Sequence, residues 1–167
     1  MDTARKPYTR DAAAVRAWRL VREPFTARTW RRVAYALLAV PVGLVSLPVA
    51  LLGGRRAGRW QRGLVRRFLG VELPGSSRGA LHALLSLPPN LVVAVVTLYG
   101  WSVVPMNIGW PLRGGDPATA WGGPTLAGAW AFHAVVGGVG FLLLMPWLGR
   151  ALGALQLRLA TALLARP

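Results

Sequence analysis

Apolar residues in this sequence are gathered into three long runs that contain no charged residue. The runs extend from Val33 to Gly54, from Gly79 to Leu112 and from Pro117 to Gly149. A helix of about 20 predominantly apolar residues crosses a hydrocarbon layer of about 30 Å, so each run can hold one crossing helix but not two. The pattern predicts full membrane helices near 84–104 and 126–148, and a shorter membrane segment at 33–54.

The basic residues beside the runs predict how the chain is oriented, because Lys and Arg accumulate in the short cytoplasmic flanks of membrane helices. Nine basic residues precede Val33 and seven lie within 53–80, whereas the 105–124 segment holds only Arg113, offset by Asp116. We therefore expect a multi-pass protein of the cell membrane, with both termini and the 53–80 loop cytoplasmic and the 105–124 loop outside.

This orientation has a consequence for the first run, because a segment with two cytoplasmic flanks cannot cross the membrane once. Pro41, Gly43, Pro48, Gly53 and Gly54 are expected to supply helix breaks and allow a re-entrant turn. The alternative is a single proline-kinked span that leaves one basic loop on the wrong side.

The predicted fold is all-α, with two full spans, one shorter or re-entrant segment and interfacial amphipathic helices near 11–23, 55–69 and 150–164. Asp11 is the expected N-cap of the first interfacial helix. Residues 1–32 form a basic cytoplasmic region in this scheme, and residues 33–167 form the membrane domain.

The 55–69 segment has the clearest amphipathic pattern in the chain. On a helical wheel its apolar side chains share one half and its six arginines share the other, as in helices that lie in the membrane interface. Anionic lipids are the expected partner, although the same charges would also serve to fix topology alone. Contacts with lipid headgroups are predicted for Arg55, Arg56, Arg59, Arg62, Arg66, Arg67, Trp60 and Phe68.

Polar residues inside the runs are the next candidates for function. His133 and Thr97 are expected at about the same depth, where the imidazole would bond to the hydroxyl or to a backbone carbonyl, with proton sensing as the alternative. Asn90 is expected to hold helices together. A face of small residues that permits close helix packing is predicted for Ala127, Ala131, Ala134 and Gly138.

The composition gives little support to catalysis or nucleic-acid binding. The chain has five carboxylates, none paired on a helix face, two isolated histidines and no cysteine, so no enzyme, cofactor or metal site is predicted. Its formal net charge is +15, but 54% of its residues are hydrophobic and its tryptophans cluster near the predicted membrane boundaries. That distribution is typical of a membrane interface and argues against nucleic acid as a partner.

Several short motifs occur in an order that matches a known kind of membrane domain. They are Pro24-Phe25, Arg28-Thr29-Trp30, Ala34-Tyr35-Ala36-Leu37-Leu38 with Pro41-Val42-Gly43, Phe68-Leu69-Gly70-Val71, Leu85-Ser86-Leu87-Pro88, the segment from Tyr99-Gly100-Trp101 to Trp110-Pro111-Leu112, and Met145-Pro146-Trp147-Leu148 leading to Leu163-Leu164. In this order and spacing the chain resembles the membrane sensor domain of bacterial two-component histidine kinases, over about residues 24–167.

The resemblance implies a four-helix membrane domain with an outer loop between its third and fourth helices. Two features depart from that pattern. The 33–54 segment stands where the family has a hairpin of two full helices, and the outer loop is short. Since the family's kinase domain does not follow within these 167 residues, we expect the signalling output to come from a partner.

The leading functional prediction is therefore a non-enzymatic membrane sensor or signalling accessory module. Its expected partners are the lipid bilayer and a histidine kinase, another membrane protein or a second copy of this chain. The alternatives are a structural scaffold protein of the membrane and a small transporter-associated subunit.

Overall fold

The computed structural model describes residues 8–51, 54–74 and 78–164 of the chain. These residues are almost entirely helical and include no strand, which confirms the all-α prediction. The six α-helices are α1 Tyr8–Arg22, α2 Ala27–Leu51, α3 Gly54–Leu69, α4 Gly79–Ile108, α5 Leu126–Phe132 and α6 Phe141–Leu164. Short 3₁₀ helices occupy Glu23–Phe25 and Trp110–Arg113, and a π-helix, His133–Gly140, joins α5 to α6.

Three helical segments are long and apolar enough to cross a membrane. They are Ala27–Ala50, Gly79–Ile108 and Leu126–Leu164. The second and third contain the predicted spans 84–104 and 126–148, whereas the first overlaps the predicted 33–54 segment only as far as residue 50. Together they support the assignment to the membrane. The third differs from expectation, because the 126–148 span and the 150–164 helix form one helical run without an interruption at Gly149.

α2 continues through both prolines that were expected to break it. Pro41 and Pro48 lie inside the helix and are exposed, and because they are seven positions apart they share one face. The face that packs against other helices carries Tyr35 and Ser46 instead. The expected turn at Pro41 and Gly43 is therefore wrong, since a proline on an outer face leaves the packed face intact and helical.

The chain nevertheless turns back immediately after α2, because α3 packs against α2 in the opposite direction. Gln61 near the middle of α3 lies beside Ala39 and Gly43. The last turn of α3 lies beside Arg28 and Arg31 in the first turns of α2. The two helices thus form a hairpin whose open end brings together the start of α2 and the end of α3.

α4 runs antiparallel to both α2 and α6 and contacts each of them along its length. Trp30 near the start of α2 meets Trp101 near the end of α4, with ring centroids 4.9 Å apart. The α4–α6 contact is close at Gly100, where a Cβ atom would overlap the side chain of Met145. The three candidate spans therefore alternate in direction.

The hydrophobic core lies where α2, α3 and α6 meet around Tyr35. This side chain is 4% exposed and belongs to one cluster with Val65 of α3 and with Ala160 and Leu164 of α6. The cluster fixes α3 and the last turns of α6 on the same side of α2.

α1 makes few contacts with the rest of the described chain. It begins before Asp11, at Tyr8, so Asp11 lies inside the helix and is not its N-cap. The predicted apolar side of this helix, Val15, Trp18 and Val21, is at least half exposed. A helix with such a face is suited to lie against another apolar surface.

Candidate functional site

Polar side chains form a buried track along one face of α4. His82, Ser86 and Asn90 follow one another at intervals of four residues, so they share a face, and each is at most 6% exposed. Two glutamines reach this face from neighbouring helices. Gln61 of α3 contacts Nδ1 of His82 through its Oε1, and Gln156 of α6 donates a 2.9 Å hydrogen bond to Oδ1 of Asn90.

The track also contains polar atoms without a hydrogen-bond partner among the described residues. These atoms are Nε2 of Gln61, Oγ of Ser86 and Oε1 of Gln156, with Oγ of Ser46 on α2 nearby in the same bundle. A buried polar atom without a hydrogen-bond partner is unfavourable. Because these unpaired donor and acceptor atoms lie in one track, a shift of the helices can bring them into new hydrogen bonds with one another.

Sequence reasoning missed Gln61 and Gln156, and it considered His82 only as a metal ligand. A signal for them exists in the sequence as an internal repeat. The pattern of Gly54, Arg55, Gly58, Gln61, Leu64 and Leu69 recurs 95 positions later as Gly149, Arg150, Gly153, Gln156, Leu159 and Leu164. Two helices with the same spacing are expected to use the same face, and here both present their glutamine to α4.

The helix α3 confirms the predicted amphipathic element, but its inner face contacts protein. Ala57 and Val65 are fully buried against other helices of this chain, and Phe68 is partly buried. Trp60, placed at the centre of the apolar half by the wheel, is 49% exposed, whereas the neighbouring Gln61 is 5% exposed. The inner face of α3 thus includes a polar contact that a ranking of residues by hydropathy does not indicate.

All six arginines of α3 remain outside the bundle, exposed or partly exposed. They do not form one surface. Arg55 and Arg56 lie at the closed end of the α2–α3 hairpin, whereas Arg66 and Arg67 lie at its open end beside the arginines of α2. Only the second group shares a groove with basic residues from another helix.

His133 lies beyond the end of α4, in a cluster of aromatic side chains. Its Nδ1 is 2.8 Å from the carbonyl oxygen of Ala129, and its ring stacks on Trp110 with centroids 5.0 Å apart. Thr97 lies instead between α2 and α6, beside Arg32 and Met145. The expectation that His133 and Thr97 share a depth is wrong, because Gly138 and not His133 is level with Ile108 at the end of α4.

The small residues of the third span do not all face another helix of this chain. Gly138 does, since a Cβ atom there would lie 2.7 Å from Cγ1 of Ile108. Ala127 and Ala131 are exposed and Ala134 is partly exposed. The close approach uses Gly137 and Gly138 together, because the π-helix changes which residues of this segment point toward α4.

The π-helix spans eight residues in the middle of the longest helical run. Such wide turns are rare and usually short, and they occur frequently at functional sites. This one begins at His133, in contact with the aromatic cluster, and ends where α6 begins to follow α4. Any change in its width would rotate one part of the run relative to the other.

Glu23 forms a small network of charged side chains with two arginines from different helices. Glu23 contacts Arg150, and its Oε1 lies 3.9 Å from Arg32. Within the described part of the chain, no three His, Asp or Glu side chains come together as metal ligands would.

Comparison with known proteins finds no matching family model, no similar curated protein and no similar solved structure.

Proposed function

We propose that this chain is a non-enzymatic membrane sensor or signalling accessory module that passes a conformational change to a partner protein. The observation that carries the proposal is the helical run Leu126–Leu164. It begins at the aromatic cluster around His133 and continues through the π-helix to the contacts of Gln156 and Leu164 with other helices.

The π-helix supplies a physical means of transmission. An α-helix has 3.6 residues per turn, so moving one residue into or out of a wide turn rotates the following helix by about 100°. Such a rotation would move Gln156 away from Asn90 and alter the packing of α6 on Tyr35. The partner, by resemblance to the sensor domain, is a histidine kinase or another protein of a two-component system.

A labelling experiment tests whether the two ends of this run are coupled. The chain has no cysteine, so Arg158→Cys gives a single site for a spin label in the full protein reconstituted into lipid nanodiscs. Trp110→Ala removes the ring that stacks on His133. We expect it to change the mobility of the label at position 158, whereas Leu112→Ala, at a residue 91% exposed, should not.

The signalling output is tested in the native cell. Deleting the gene should change the phosphorylation of one response regulator, and the wild-type chain should restore it while the Trp110→Ala variant should not. An unchanged label at position 158, together with unchanged phosphorylation, would favour a structural scaffold and overturn the proposal.

A further inference from the structure

Five arginines converge on a groove at the open end of the α2–α3 hairpin. Three come from the first turns of α2 and two from the last turn of α3. The groove has a volume of about 500 Å³. Its lining consists of Arg28, Arg31, Arg32, Arg66, Arg67, Phe68, Leu69 and Gly70. We call it the arginine groove.

No carboxylate lines the arginine groove. Two described carboxylates lie near its edges: Glu23 is shared between Arg32 and Arg150, and Glu72 lines a neighbouring pocket together with Arg66. Among the described residues, Arg28, Arg31, Arg66 and Arg67 form no ion pair. Like charges held close together repel, so an anion in the groove would offset an unfavourable term that the chain itself leaves uncompensated.

The chemistry of the side chains selects the anion. Guanidinium groups form paired hydrogen bonds with the oxygens of phosphate, and several of them can surround one phosphate group. We propose that the arginine groove binds the phosphate headgroup of an anionic phospholipid. This inference is independent of the signalling role.

The surroundings of the groove favour a lipid over a soluble phosphate. Phe68 and Leu69 provide apolar surface next to the guanidinium groups. Trp30 neighbours Arg31 in α2, is about half exposed and stacks near Trp101, as side chains at a membrane interface do. A lipid can place its phosphate among the arginines and its glycerol and upper acyl chain along this apolar edge.

This site differs from the lipid contact expected from the helical wheel. The wheel treats all six arginines of α3 alike, whereas the groove uses only Arg66 and Arg67 and adds three arginines from α2. Arg55 and Arg56 belong to the same helix, carry the same charge and lie outside the groove, which provides a matched control.

The test uses the full-length protein in a non-ionic detergent and a fluorescent phosphatidylglycerol as the probe. Arg66→Gln with Arg67→Gln should weaken binding at least tenfold, and Arg55→Gln with Arg56→Gln should change it less than twofold. Arg28→Gln with Arg31→Gln should reproduce the loss from the α2 side of the groove. The wild-type affinity should fall as salt rises, because exposed charges are screened over about 8 Å at physiological ionic strength.

Unlabelled phosphatidylglycerol should displace the probe, whereas phosphatidylcholine and millimolar inorganic phosphate should not. Equal weakening by the Arg66/Arg67 and Arg55/Arg56 pairs would mean diffuse attraction and overturn the groove. Displacement by inorganic phosphate would assign the site to a soluble anion instead of a lipid. Helical circular dichroism of each variant identifies a folding defect, and the Arg28/Arg31 pair then decides the outcome.

Discussion

α3 and the last sixteen residues of α6 are two versions of one helix with different surroundings. Both place a glycine four positions after their first residue and a glutamine three positions later, and both turn that glutamine toward α4. α3 carries six arginines, whereas residues 149–164 carry only Arg150 and Arg158. The glutamines that the two helices share therefore serve helix packing, whereas the different numbers of arginines give the two outer surfaces different charges.

The difference also shows in the partners of the two glutamines. Gln61 meets the ionisable imidazole of His82, while Gln156 meets the neutral amide of Asn90. The two helices therefore hold α4 by similar geometry but through chemically different partners.

Both helices contribute to the cluster around Tyr35, so replacing Tyr35 should reduce the stability of the protein more than any other change considered below. Tyr35→Ala would leave a cavity among Val65, Ala160 and Leu164, and we expect it to lower the free energy of unfolding by about 3 kcal/mol. Tryptophan fluorescence during SDS or thermal unfolding measures the loss. Tyr99→Ala, at a residue 67% exposed, is the control and should change stability little. Equal losses would show that Tyr35 has no special place in the core.

Gln156→Leu should distinguish the two helices, because it weakens the contact of α6 with α4 and leaves the contact of α3 with α4 unchanged. It leaves the side chain of Asn90 buried without its partner, which we expect to cost about 1–3 kcal/mol in the same unfolding assay. Adding Asn90→Leu should recover most of that loss, because two apolar residues leave no polar group unpaired. Failure of the double variant to recover would mean that the pair acts through shape and not through hydrogen bonding.

The smallest expected effect concerns one glycine in each of the two helices that has open space around it. A Cβ atom on Gly63 or on Gly153 would meet nothing within 4 Å. Gly63→Ala and Gly153→Ala should each raise the free energy of unfolding by about 0.5–1 kcal/mol, because alanine loses less backbone entropy in a helix. Gly100→Ala should do the opposite, since its Cβ would overlap Met145. A gain at only one of the two positions would mean that the two helices differ in the space around these glycines.

The sequence was sufficient to predict the helices but not how they pair. The uncharged runs predicted all three candidate spans, and the helical wheel predicted the amphipathic helix α3. Both predictions were possible because each depends only on the residues within one segment. The direction of α2 relative to α4 depends on contacts such as Trp30 with Trp101, which lie 71 positions apart in the chain. No local pattern carries that information.

The candidate site was less predictable because its residues look ordinary one at a time. Asn90 was expected to hold helices together, and the structure places it against Gln156. Gln61 stands between Trp60 and Arg62 in a strongly basic helix, so hydropathy alone favours an outward position. Its inward position depends on His82, a residue in a different helix. The repeat at 95 positions was the one sequence signal that joined the two glutamines.

The closeness of α2 and α3 along the chain also determines the order in which contacts can form during synthesis. α2 and α3 are separated by only two residues along the chain, so closing the hairpin costs little entropy and needs no later segment. The contact of Asn90 with Gln156 can form only after the 66 residues that follow Asn90 have been synthesised. Since amino-terminal parts of a chain can fold first, the arginines of the hairpin meet before α6 exists, and the arginine groove is therefore formed by the earlier half of the chain alone.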